Sequence, residues 1–222
     1  MSIIKQNIKR IREELKSDAV LVAVTKTRST EEITEVLEGN IYDLGENRVQ
    51  EFREKYEIFP KEVRWHFIGR LQKNKVKYLV GKVHLIHSVD SFSLAKEISK
   101  RSIKENTVTN VLIQINVSKE ESKQGIDEKD LEDLLLKISD LEGIYVKGIM
   151  TMAPYDENKE SLRELFRTTA KIYDRMKEKD SQFKNSSFEY LSMGMTNDYQ
   201  IALEEGANMV RIGRGLFEKE EE

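Results

Sequence analysis

The chain of 222 residues contains no cysteine and only two prolines. The first absence excludes disulfides, thiolate metal sites and cysteine nucleophiles together, and it suits a reducing compartment. A cytoplasmic protein whose chemistry uses other groups is expected, with no metal. With so little proline, and with no stretch rich in Gly, Ser and Pro, nothing marks a linker. Residues 1–222 are therefore expected to form one domain. Neither sign of charge dominates: 37 Lys and Arg against 40 Asp and Glu leave a net charge of -3. That balance supplies no bulk field toward nucleic acid or an anionic membrane. The longest apolar run, AVLVAV, is far short of the roughly 20 residues a membrane span needs. The opening segment MSIIKQNIKRIREELKS carries charges where a secretory signal has an apolar core. No nucleic-acid or membrane partner is expected, and a small-molecule ligand is.

What is present is alternation. Ile4, Ile8, Ile11 and Leu15 recur at helical spacing, which predicts an amphipathic helix within residues 1–17 packed on the body. After it come eight short β-formers: AVLVAVT, IYDLG, WHFIG, VHLIHSV, VLIQINV, IYVKGIM, FEYLSMG and NMVRIG. Between them lie amphipathic segments such as TEEITEVLE, RVQEFREKYEIF, NKVKYLV and DYQIALEEG, read as crossover helices. The count predicts an α/β fold, a (β/α)8 TIM barrel with an extra N-terminal helix. An open doubly wound sheet would alternate in the same way, but no glycine-rich dinucleotide fingerprint or Walker-type loop follows any strand. The end of the chain, residues 218–222, reads as a solvated acidic tail.

In a barrel of this kind ligand-handling groups gather at the C-terminal ends of the strands. Those ends carry Lys26, Glu46 and Asn47, His66 and Gly69, Ser88 and Asp90, Asn116, Thr151, SMGMTND and RIGRG. SMGMT, 192–196, closes strand seven and opens a helix with Thr196 or Asn197 near its N-cap, while RIGRG, 211–215, closes strand eight. Amides at a helix start, a hydroxyl and glycines form an anion cradle. Either segment alone is equally a tight turn, but on adjacent strands the two favour phosphate. Lys26 ends strand one, the neighbour of strand eight in a closed barrel. There it can contact phosphate as a point charge, lie on the surface, or be buried with a lowered pKa as an amine that attacks an aldehyde. An aldehyde carrying a phosphate is pyridoxal 5'-phosphate (PLP). Arg211 fits beneath the ring nitrogen of such a cofactor; the alternative is an ion pair with a carboxylate such as Glu46. An arginine there keeps the pyridine nitrogen neutral and blunts the cofactor's electron sink.

The segments VAVTK, GENRVQE, WHFIGRLQKNK, LIHSVDS, GIMTMAP, LSMGMTND and MVRIG, in that order, resemble the pyridoxal phosphate homeostasis protein family. Its members are single-domain barrels similar to the N-terminal domain of alanine racemase. The resemblance implies PLP held as a Schiff base on Lys26, with Arg211 at the ring nitrogen. It implies a phosphate held by Ser192, Gly194, Met195, Thr196, Gly213 and Arg214, and a ring pocket lined by Asn47 and Met150. His66 lies in a family motif without an assigned role, and a core histidine and a ligand contact both stay open. Two departures are visible: Thr196 where Ser is usual, which keeps the hydroxyl, and Glu218 where a small residue is usual, which alters the last turn. The implied function is intracellular PLP buffering or delivery, with PLP-requiring apo-enzymes as partners, by a monomer that is not an enzyme. An alanine-racemase-type activity is the alternative. Racemisation needs acid and base on both faces of the substrate carbon, Lys26 covers one, and in the resembling racemases the opposing tyrosine comes from a C-terminal domain not seen here. A barrel acting on a phosphorylated sugar without cofactor is a third reading. RLQKNKVK reads either as a docking surface or as a solvated helix face.

Overall fold

A computed structural model describes residues 2–15, 18–118, 124–154 and 158–219. All eight expected strands form: β1 (Val20–Val24), β2 (Asp43–Glu46), β3 (Arg64–Phe67), β4 (Leu85–Val89), β5 (Thr109–Gln114), β6 (Ile144–Met150), β7 (Ser186–Ser192) and β8 (Met209–Ile212). They pair in parallel in sequence order and close, β8 lying against β1 with Val22 opposite Arg211. Closure puts every strand's C-terminal end at one mouth.

The helices are α1 (Ile3–Glu14), α2 (Thr30–Glu38), α3 (Val49–Tyr56), α4 (Phe92–Lys104), α5 (Glu128–Ile138), α6 (Lys159–Glu178), α7 (Tyr199–Glu204) and α8 (Arg214–Phe217). Ser29 and Glu32 form a reciprocal capping box at the start of α2, which is why TEEITEVLE keeps its expected limits. α1 buries Ile4, Ile8 and Ile11 as expected, and Leu15 packs partly buried behind them; residues 16 and 17 of the expected segment lie outside the described residues. One crossover differs. NKVKYLV predicts a helix, but Lys73–Tyr78 is a 3-10 segment: Lys75 N donates to Gln72 O (2.9 Å) and Leu79 N to Val76 O (3.0 Å) across three residues, while Val76, Leu79 and Val80 still bury the expected apolar face. α8 was not anticipated. Asn7 of α1 donates to the carbonyls of Leu216 (3.1 Å) and Glu218 (2.9 Å), and Arg28 pairs with Glu218 and stacks 4.7 Å over the Phe217 ring. Glu218 is thus built into the last turn, while residues 220–222 of the tail lie outside the described residues.

Alternation along each strand divides the core in two. Leu44, Trp65, Phe67 and Ile86 face outward to the helices, whereas Val22, Leu85, Leu112, Met150 and Met209 form a small inner cluster. The rest of the inner space includes polar groups: His87 on β4 reaches Ser192 on β7 at 3.2 Å, a contact possible only through the barrel interior.

Candidate cofactor-binding site

Lys26 follows β1 with the phase of Val22, so the two-residue alternation carries it to the lumen side of the mouth. The ladder runs one residue past the strand, from Thr25 N to Gly45 O (3.0 Å), and the chain then turns, with Arg28 N donating to Thr25 O (3.1 Å). Thr27 sits in the left-handed region at φ 60°, a conformation that costs a non-glycine residue about 1 kcal/mol or more and persists only where its surroundings impose it. The surroundings are a network behind the turn. Thr27 N donates to Glu51 (2.8 Å), the Thr25 hydroxyl donates to Glu46 (2.6 Å), and the Lys55 ammonium donates to both Thr25 O (2.6 Å) and Glu46 (2.7 Å). Burial pushes the Glu46 carboxyl up, against the hydrogen bonds from Lys55 and Thr25. GENRVQE and the following Lys55 therefore work as the support of the Lys26 turn.

Two sequence expectations change here. Lys26 itself is exposed, so burial in the barrel is not what would make it a nucleophile; its ammonium has no hydrogen bond or ion pair among the described residues. Glu46 points outward to Lys55, and is not the partner of Arg211.

Arg211 is 3% exposed. It donates from Nη1 to the Ser192 hydroxyl (2.6 Å) and from Nη2 to the Thr151 carbonyl (2.9 Å), both neutral acceptors. Among the described residues no carboxylate pairs with it. Burial lowers the guanidinium to about 10, and Asp198 opposes this at longer range. A buried cation without a counter-ion is held at a cost, and a ligand with acceptor atoms or negative charge would relieve it.

The loops after β7 and β8 are tied together beside it. The α7 cap is Asp198, not Thr196 or Asn197; its carboxylate accepts from Met195 N (2.5 Å), and burial pushes that carboxyl up. Gly194 takes φ 92°, and a Cβ there would lie 2.7 Å from Ala202, so only glycine lets this loop close on α7. Its carbonyl accepts from Arg211 N (3.0 Å), and the Thr196 hydroxyl accepts from Gly215 N (3.2 Å). A recess of about 360 Å³ opens there, lined by Thr196, Asn197, Ile212, Arg214 and Gly215, with Arg10 and Ile11 of α1. Gly213 caps α8 and Arg214 opens it, exposed, while Met195 stands 37% exposed at the rim. The Ser192 hydroxyl is not on this recess; it lies below, engaged by Arg211 and His87. Met150 is wholly buried in the inner cluster as a floor, and half-buried Asn47 follows β2 at the mouth. A second recess of about 440 Å³, between α1 and the end of α2, holds none of these residues.

The profile of the family described as alanine racemase, N-terminal domain, matches residues 1–220. The pyridoxal phosphate homeostasis protein of Aquifex aeolicus (strain VF5) is 46% identical over 200 residues, covering 90% of this chain and 86% of that protein. The chain belongs to the pyridoxal phosphate homeostasis protein family. A second member, from Helicobacter pylori (strain ATCC 700392 / 26695), is 35% identical over 204 residues, 90% of this chain and 87% of that one. The structure of PipY of Synechococcus elongatus PCC7942 with PLP bound matches with a TM-score of 0.87 and 28% identity, over 96% of this chain and 99% of that chain. Alanine racemase of Clostridium difficile 630 in complex with cycloserine matches at 16% identity and a TM-score of 0.79, over 99% of this chain and 60% of that chain, which shows a shared barrel. No helix among the described residues is long and apolar enough to cross a membrane.

Sequence reasoning missed what lies behind the homeostasis-family motifs. His87 lies within LIHSVDS, where strand-end position singles out Ser88 and Asp90 instead. The alternation of β4 around Leu85, an inner residue, was the available signal that His87 faces inward. Glu51 and Lys55 sit four residues apart on α3, a spacing that reads as an ordinary surface pair until the turn beside them is seen.

Proposed function

We propose that this chain binds pyridoxal 5'-phosphate at the barrel mouth and serves its intracellular homeostasis, as a cytoplasmic monomer that stores the cofactor or hands it to apo-enzymes. The observation that carries this is that the buried Arg211 and the exposed Lys26, on adjacent strands, have no carboxylate partner among the described residues. The homeostasis relatives and the PLP-bound neighbour support it. When bound, the cofactor would supply an aldehyde, and Lys26 is the residue whose amine would hold it. Arg211, a permanent donor, would hold the ring nitrogen and keep it unprotonated. Thr196, with the backbone of Gly194, Met195, Gly213 and Arg214, receives the phosphate beside the recess, while Ser192 contributes by holding Arg211. Asn47 and Met150 bound the ring. An exposed lysine suits exchange of cofactor better than catalysis, which gains from a closed, dry site, so no alanine racemisation is expected. PLP titration with absorbance detection, then borohydride reduction and peptide mapping, tests the reading: the label is expected on Lys26. A label on another lysine, or sustained conversion of L-alanine to D-alanine lost in Lys26→Ala, would overturn it.

A further inference from the structure

Beneath Arg211 a column of polar side chains fills the barrel from mouth to base. Ser192 Oγ meets His87 Nδ1 at 3.2 Å, His87 Nε2 meets His66 Nδ1 at 2.9 Å, and His66 Nε2 meets Asp43 Oδ1 at 3.0 Å. At the base Arg64 donates from Nε to Asp43 Oδ1 (2.7 Å). Ser192, His87 and His66 are 3% exposed or less. We propose that Asp43, His66, His87 and Ser192 form a one-way hydrogen-bond chain that positions Arg211 and answers its charge from the opposite end of the barrel.

The direction follows from donor and acceptor chemistry. A guanidinium has no acceptor, so Arg211 donates to Ser192 Oγ. The one Ser192 proton then points to His87 Nδ1, which must be bare. A neutral ring with a bare Nδ1 carries its proton on Nε2, so His87 donates to His66 Nδ1. By the same rule His66 donates from Nε2 to Asp43. Reversed, the chain would leave a bare imidazole nitrogen facing the Asp43 carboxylate and strand the Ser192 proton. Both rings are therefore Nε2–H tautomers. A second proton on His87 would fill Nδ1, turn that contact into donation to Ser192 Oγ, and leave the serine proton without its acceptor. Burial, then the nearby His66, Arg211 and His84, keep His87 well below the ordinary histidine range. His66 is faced by Asp43, His87 and His84, whose rings lie 5.1 Å and 5.4 Å away for the two histidines. Tyr190 and Arg64 close the lower end, both interacting with Asp43. The column thus absorbs the unassigned His66 and makes it, with His87 and Asp43, a positioning residue for Arg211.

The role of Arg211 toward PLP rests on the function proposed above; the column itself does not. The first test uses cofactor-free protein labelled with ¹⁵N-histidine. Long-range ¹⁵N–¹H correlation at pH 7.5 is expected to show Nε2–H tautomers for His66 and His87, with His87 still neutral at pH 6.5. An Nδ1–H tautomer in either ring, or His87 charging near pH 6.5, would overturn the proposal. In the second test Asp43→Asn is expected to move the Arg211 Nε–H resonance from across the barrel. His87→Phe removes the acceptor of the Ser192 proton and is expected to weaken PLP binding about tenfold, the net worth of one hydrogen bond. A still Arg211 resonance with unchanged PLP affinity would refute the coupling. Expected tautomers in a parent that binds no PLP would sustain the column and remove the proposed function. Should either variant fail to fold, the tautomer measurement on the parent decides.

Discussion

Arg211→Met separates binding from stability. Burial lowers the guanidinium from 12.5 to about 10, so holding it charged at neutral pH costs the folded state about 3 kcal/mol at 1.36 kcal/mol per unit. Methionine fills a similar volume without charge and adapts to an irregular gap. The substitution also removes two hydrogen bonds. Ser192 keeps its contact to His87, but the Thr151 carbonyl loses its arginine partner, a loss of about 1–3 kcal/mol. The two effects nearly cancel, and the unfolding free energy is expected within about 2 kcal/mol of the parent. Affinity for PLP has no such compensation and is expected to fall at least about tenfold with the lost charged donors. Urea unfolding at pH 7.5 and absorbance titration with PLP read the two quantities on the same samples. A loss of more than about 4 kcal/mol would show that Arg211 is a pillar of the fold, and unchanged affinity would show that it is not part of the site.

Other outcomes follow from the column and its base. Burial pushes the Asp43 carboxyl up, but hydrogen bonds from His66 and Arg64, with the Arg64 charge, outweigh this and lower it from 3.8 to about 2. The resulting stability, about 2 kcal/mol, is full above pH 3.8 and lost as pH falls to about 2; Asp43→Asn is expected to flatten that acid limb in urea midpoints, and an unaltered limb would exclude the pair. His87 has a folded pKa well below 6.5, so the unfolded chain takes up the proton first and stability declines as pH falls below 6.5. The decline steepens as pH falls further below 6.5. His84, also lowered by burial, adds in the same direction, so His87→Phe is expected to reduce the slope between pH 8 and 5.5; equal slopes in variant and parent would contradict a neutral His87.

The barrel was legible because its signals are local. Each β-branched run was bounded by an amphipathic segment, and the capping box of Ser29 and Glu32 fixed α2 to the residue. The 3-10 segment Lys73–Tyr78 was not, since Val76, Leu79 and Val80 are buried at the spacing of an α-helix and only the tighter hydrogen bonding, which apolar pattern does not encode, separates the two states. At the site, strand ends and glycines pointed to the mouth, and the structure does bring Lys26, Arg211 and the two loops onto adjacent strands. Burial was the harder quantity. Lys26 sits one residue beyond where the ladder ends, so it is exposed, while Glu46 is the last residue of β2 and fully covered by α3. Neither fact is written in the spacing. The column from Asp43 to Arg211 spans five strands, and its pairing through the interior depends on barrel closure, which no local pattern encodes.

The central claim is that Lys26 is the group to which PLP is joined. Purified protein mixed with PLP, reduced with borohydride and digested, is expected to carry the pyridoxyl mass on Lys26, with Lys26→Ala folded but unlabelled and without a near-ultraviolet or visible band. A band and a label of equal strength in Lys26→Ala would contradict it.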